Sequence, residues 1–238
     1  MNKIISLIIL MGIAPLFAQE ETTAKTTFVI GKVSVKGIDV KATWKPVKVN
    51  DVVSDGDTIM TGNGSTITLA YKGSEIKLQQ NTTMVMKSLF SKTKEGNFEV
   101  KNGMAWYKLV NLGGQKVNSI TPTSVAGVRG TSFASLYDEK SKAAMNCVCE
   151  GKVEVVSTEP GAKSKIVEKG SGSGFKSGSA EIDLASYKGD ISKMTSNPSF
   201  EKKIKDFPMM KNCLSCHTPK GWAAEGVVKD NFSSSENL

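Results

Sequence analysis

Apolar and polar positions alternate in short runs from Phe28 to about Gly170, and glycines punctuate them at intervals of roughly ten residues. Alternation with period two puts successive side chains on opposite faces of a strand, and β-branched residues suit such a surface. The runs predict strands at Phe28–Val35, Thr58–Thr61, Ser65–Tyr71, Glu75–Leu78, Thr83–Leu89, Asn97–Val100, Met104–Val110, Val117–Ile120, Thr131–Tyr137, Ala143–Cys149, Lys152–Ser157 and Lys165–Glu168. Lys72-Gly73-Ser74 reads as the turn of a hairpin. No long stretch here carries a helical period. The expected class is all-β, either a sandwich or a short coiled sheet resembling a solenoid, and the pattern does not separate the two.

The two ends differ from this middle. Met1-Asn2-Lys3 followed by the apolar run Ile4 to Phe17 and the small Ala18 reads as a secretory signal over residues 1–18, cleaved after Ala18. The run is shorter than the roughly 20 apolar residues of a membrane-spanning helix. A mature, exported chain follows, periplasmic or secreted, with an N-terminal extension over 19–27. Past the β-domain of 28–170, residues 171–179 are Gly/Ser-rich and read as a flexible linker. The C-terminal segment 180–238 is partly helical by its pattern. Asn197-Pro198 gives an N-cap with proline at the first helical position, and Phe200, Ile204 and Phe207 then line one face of a helix ending before Pro208. So short a helix is marginal alone and needs an apolar surface to dock on.

Composition narrows the function. The chain has Lys+Arg 31 against Asp+Glu 23 and 39% hydrophobic residues, an ordinary globular balance with net charge +8. That charge is spread as lysines without an arginine cluster, which argues against nucleic acid as a partner. The single arginine, Arg129, sits between Gly127 and Gly130. Its planar fork of donors suits burial against carbonyls where strands cross, so all three residues read as a structural brace. Asp55-Gly56-Asp57 lacks the remaining ligands of a calcium loop and reads as a turn. The only histidine is His217, and no nucleophile-base pair or Gly-x-Ser-x-Gly elbow is present, so no enzymatic activity is expected.

Cys213-Leu214-Ser215-Cys216-His217 has the spacing of a c-type haem attachment site, with two thioether cysteines and His217 as the proximal iron ligand. No methionine follows it; Met209 and Met210 just before it, or Met194 further back, are the candidates for the sixth ligand. The competing readings are a local disulfide or redox pair, and a zinc clip. Cys147 and Cys149 fall two apart on a predicted strand and share a face, a spacing at which bonding to each other is strained. They read as buried thiols, as the source of a disulfide to the tail, or as part of a metal site with Cys213 and Cys216.

A series of landmarks carries a family resemblance: Gly31-Lys32-Val33, Trp44-Lys45-Pro46-Val47, Val53-Ser54-Asp55-Gly56-Asp57-Thr58-Ile59-Met60-Thr61, Lys72-Gly73-Ser74-Glu75-Ile76, Lys101-Asn102-Gly103, Thr121-Pro122-Thr123, Val128-Arg129-Gly130-Thr131-Ser132-Phe133 and Glu150-Gly151-Lys152-Val153-Glu154-Val155. In this order they resemble a FecR-type periplasmic domain over about residues 28–170. The resemblance implies an all-β periplasmic module, best known from regulators that relay occupancy of an outer-membrane iron-siderophore receptor to a cytoplasmic sigma factor. Those regulators carry a cytoplasmic segment before a membrane span, whereas here Met1 to Lys3 precede the apolar run, so direct sigma-factor control is not expected. The combined expectation is an exported binding or sensing module with an envelope protein as partner and haem c for electron transfer or redox or gas sensing. Two alternatives stand beside it: an interaction module with a disulfide-clipped tail and no haem, and a component of iron uptake or cell-surface signalling.

Overall fold

A computed structural model describes residues 22–169, 171–178 and 182–184, the last three by backbone alone. The signal run and the motif with its preceding methionines lie outside the described residues. In order, the chain forms β1 (Thr23–Ile30), β2 (Val33–Lys36), β3 (Lys45–Pro46), β4 (Val52–Ser54), β5 (Thr58–Thr61), β6 (Thr66–Tyr71), β7 (Ser74–Leu78), β8 (Thr83–Ser88) and β9 (Gly96–Lys108). It continues through β10 (Val117–Ile120), β11 (Ser124–Val128), β12 (Ser132–Asp138), β13 (Ala143–Glu150), β14 (Lys152–Ser157), β15 (Lys165–Glu168), β16 (Gly172–Lys176) and β17 (Ile182–Leu184). The domain is all-β, as the alternation predicts.

The strands make two sheets that share β9. The first runs β4-β1-β6-β7-β9-β12-β13-β16-β17. The second runs β3-β2-β5-β8-β9-β10-β11-β14-β15. Only the β9–β10 ladder among these is parallel. One buried cluster draws on both sheets, from Ile76, Tyr107, Phe133 and Val148 of the first to Ile59, Met84, Val117 and Val155 of the second. A core enclosed between two facing sheets makes this a sandwich and decides against the solenoid.

Strand β9 shows why the two sheets stay together. Its first half pairs with β8 and β10 in the second sheet, and its second half with β7 and β12 in the first. The bend falls at Gly103, whose φ is +90° and where a Cβ would sit 2.5 Å from the Thr82 Cα. Only glycine fits so close an approach in that conformation. The sequence pattern breaks here into two strands, Asn97–Val100 and Met104–Val110, and the structure joins them. Conversely, Phe28–Val35 reads as one strand but crosses from the first sheet to the second at Gly31-Lys32, giving β1 and β2. Tyr107, fully buried, stacks on Phe133 at 4.8 Å and on Phe98 at 5.8 Å, and its hydroxyl lies 3.0 Å from Ser119 Oγ of β10. Burial pushes that phenol far above its ordinary pKa, and the Ser119 hydrogen bond only partly offsets it.

Two expected boundaries move. Residues 19–27 are not merely an extension, since β1 begins at Thr23. Within the expected linker, Gly172–Lys176 forms a strand: β16 pairs antiparallel with β13, with Gly172 opposite Cys147 and Phe175 opposite Ala144. Local propensity is poor in so glycine-rich a strand, but Phe175 is 3% exposed and joins the core, so tertiary burial overrides it.

Gly103→Ala is expected to lower unfolding free energy by at least about 2 kcal/mol, read as a lower urea midpoint, because the added Cβ meets backbone as well as a strained φ. Tyr107→Phe, which loses only the hydroxyl contact, is expected to cost about 1 kcal/mol.

Candidate functional site

Arg129 is exposed, which corrects its reading as a buried brace. Ala126 and Val128 of β11 enter the core, and alternation therefore turns Arg129 outward. Outside, Lys116 Nζ lies 3.0 Å from Glu154 Oε2. The hydrogen bond from Lys116, helped by one from Ser164 and by the charges of Lys116 and Arg129, holds the Glu154 carboxyl below its usual range. Gly127 is what lets Lys116 lie there: a Cβ on Gly127 would meet its ammonium at 2.7 Å. Gly130, with φ +111°, carries the chain from β11 of the second sheet into β12 of the first.

The brace across the sheets is polar and neutral instead. Asn146 of β13 is fully buried; its Oδ1 accepts from Ser135 Oγ at 2.7 Å and its Nδ2 donates to Ser124 Oγ of β11 at 3.1 Å. Thr121 closes the network, its hydroxyl 3.0 Å from Ser124 Oγ and accepting from the Ser124 N–H at 2.9 Å. Thr123 Oγ1 donates to the Phe175 carbonyl at 3.2 Å and so ties the same turn to β16. The brace expected at Arg129 is formed instead around Asn146, and a lone asparagine inside the apolar run Ala143–Cys149 is the sequence signal for it. Both carboxylates of the Asp55-Gly56-Asp57 turn are hydrogen-bonded, Asp57 Oδ2 accepting from Ser54 N within the turn and Asp55 Oδ1 from Leu89 N just past β8.

Cys147 and Cys149 both lie on β13. Cys147 is disulfide-bonded, while Cys149 is buried and keeps its thiol. Cys213, Cys216, His217, Met209, Met210 and Met194 lie outside the described residues. Among the described residues no three His, Cys, Asp or Glu side chains are grouped to hold a metal ion.

Two surfaces escaped the sequence reading. The loop from β2 to β3 exposes Ile38 at 79%, Val40 at 94% and Trp44 at 44%. Ile38 packs over Gly56, where a Cβ would meet its side chain at 2.7 Å. The other is the outward face of the first sheet, where Trp106, Leu136 and Met145 are buried although none belongs to the cluster between the sheets. The near-continuous apolar character of Phe133–Tyr137 and Ala143–Cys149 is the mark of strands covered on both faces.

Residues 57–154 match the FecR protein family. The FecR match opens just before β5 and closes within β14, so it contains the β9 crossing, Gly127, Arg129, Gly130 and both β13 cysteines. Ile38, Val40 and Trp44 precede it. Two crystal structures of a candidate anti-sigma factor from Parabacteroides distasonis are similar to this chain at 17% identity, with TM-scores of 0.46. The likeness covers 53% of this chain and 58% of that one, so the chain spans little more than half the length of these relatives. No curated protein matches the chain.

Arg129→Lys is expected to change thermal stability by less than about 0.5 kcal/mol, as for other exposed positions. Asn146→Ala is expected to cost about 2–3 kcal/mol, because it strands the buried Ser135 hydroxyl, takes one of two partners from Ser124 and leaves a cavity; parallel melting curves compare the two.

Proposed function

We propose that this chain is an exported, non-enzymatic binding module of FecR type that meets a protein partner in the bacterial envelope through the β2–β3 loop. The observation that carries the reading is the exposed apolar trio Ile38, Val40 and Trp44 beside the sandwich that contains the FecR match. Clustered exposed apolar side chains mark contact surfaces more often than solitary ones do. The adjacent edge strand β3 includes Pro46, which has no N–H to offer a new strand. Contact through side chains therefore suits this edge better than strand addition. Lys41, Lys45 and Lys48 are exposed around the trio, which fits a partner with an apolar pocket rimmed by carboxylates. A relay of iron-receptor occupancy is the signalling form of the same reading and needs a membrane partner to carry it onward.

The tail adds a second chemical element. Haem c bound to Cys213 and Cys216 with His217 on the iron, and Met209 or Met210 opposite, would supply one-electron chemistry or gas binding. That attachment consumes both motif thiols. The disulfide at Cys147 favours the other state open to the tail, a clip without haem.

A photo-crosslinking amino acid placed at position 44 in the exporting cell is expected to give a discrete protein adduct that disappears when Ile38→Asp and Val40→Asp are added. The same probe at position 166, exposed on β15 at the far edge, is the control. No adduct at 44, or the same adduct at 166, would remove this surface from the proposal.

A further inference from the structure

The outward face of the first sheet is apolar and dry. Register sets Trp106, Ala134 and Cys147 in one row across β9, β12 and β13, and Met104, Leu136 and Met145 in the next. None of the six is more than 5% exposed, and Met145 is at 0%. They point away from the second sheet, since the alternate rows, Ile76-Tyr107-Phe133-Val148 among them, fill the core between the sheets. A sheet face of large apolar side chains is shielded this fully only when something packs on it.

Three features of the chain indicate what packs there. Cys147, in the middle of this face, is disulfide-bonded, and Cys149 keeps its thiol. The remaining cysteines of the sequence are Cys213 and Cys216. Leu184, the last described residue of the first sheet, is level with Cys147: it is in register with Gly172, which is in register with Cys147. Two strand spacings, about 10 Å, separate the two backbones. Beyond it the sequence offers an apolar stripe, Phe200, Ile204 and Phe207, that requires a surface to dock on.

We propose that the C-terminal segment, residues 185–238, folds back over the outward face of the first sheet, sets its Phe200, Ile204 and Phe207 stripe against Trp106, Leu136 and Met145, and is latched by a disulfide from Cys147 to Cys213 or Cys216. Forming the latch joins two sulfurs and releases two protons and two electrons, which pass to a protein disulfide of the thiol-oxidase class in the export compartment. The latch leaves one motif thiol, enough for a single thioether, so a latched molecule does not carry haem on both cysteines. This inference is independent of the partner surface at Trp44.

The test uses the full chain purified from an oxidising compartment, alkylated and then digested with trypsin without reduction. Peptide 143–152 is expected to be linked to peptide 212–220, with Cys149 alkylated and no covalent haem. Cys147 recovered as an alkylated thiol, bonded to Cys149 or to another copy, or a haem on Cys213 and Cys216, overturns the latch. Hydroxyl-radical labelling of Met145 tests the docking separately from the bond. It is expected to be low in the native chain and to rise several-fold in the variant Phe200→Asp, Ile204→Asp, Phe207→Asp, whose changes lie outside the sandwich core. Unchanged labelling in that variant means that something else covers the face, such as the N-terminal apolar run or a second copy, and overturns the docking.

Discussion

A single strand that belongs to both sheets is the constraint on which the rest of this domain depends. The half of β9 before Gly103 is held by β8 and β10, the half after it by β7 and β12, and the bend directs both halves around one core. Because Tyr107 stacks between Phe98 of its own strand and Phe133 of β12, the bend is fixed by packing on the inside as well as by backbone conformation. Opening either sheet therefore strips the other of its central strand. Such coupling favours one cooperative unfolding unit over two loosely joined layers.

Around that strand the cross-sheet ties are neutral hydrogen bonds rather than charges. Asn146 spans from β13 to Ser124 of β11 in the interior, where a charged group would require full compensation for lost hydration. The charges are left outside, where Lys116, Glu154 and Arg129 lie over the second sheet and contribute little to stability in water. The thermodynamic weight thus falls on Thr121, Ser124, Ser135 and Asn146, four small polar side chains whose donors and acceptors satisfy one another.

The two faces of the first sheet then divide the labour. One face makes the sandwich core; the other is an apolar surface with a cysteine at its centre, suited to receive a covalently tied segment. The β2–β3 loop, on the opposite side of the strand order, stays outside both and exposes Ile38, Val40 and Trp44. A module built this way can engage a partner at the β3 edge of the second sheet and leave the outward face of the first sheet to a separate contact.

Local pattern by itself determined the all-β class, most strand positions, the Asp55-Gly56-Asp57 turn and the shared face of Cys147 and Cys149, because alternation and turn chemistry are properties of neighbouring residues. Composition pointed to Gly127, Arg129 and Gly130 as a structural brace. Local pattern could not tell that Gly103 bends one strand between two sheets while Gly31-Lys32 divides another, since a glycine reads the same in both cases and only the pairing partners differ. Nor could it place Arg129 outside and Asn146 inside: composition singles out the rare residue, whereas the sign of burial follows from which rows of β11 and β13 face the opposite sheet. The Gly/Ser run became a strand for the same reason, because β13 offered it a ladder and the core a place for Phe175. Sequence set the periodicity of each strand; only tertiary pairing decided which face, and which sheet, each residue would serve.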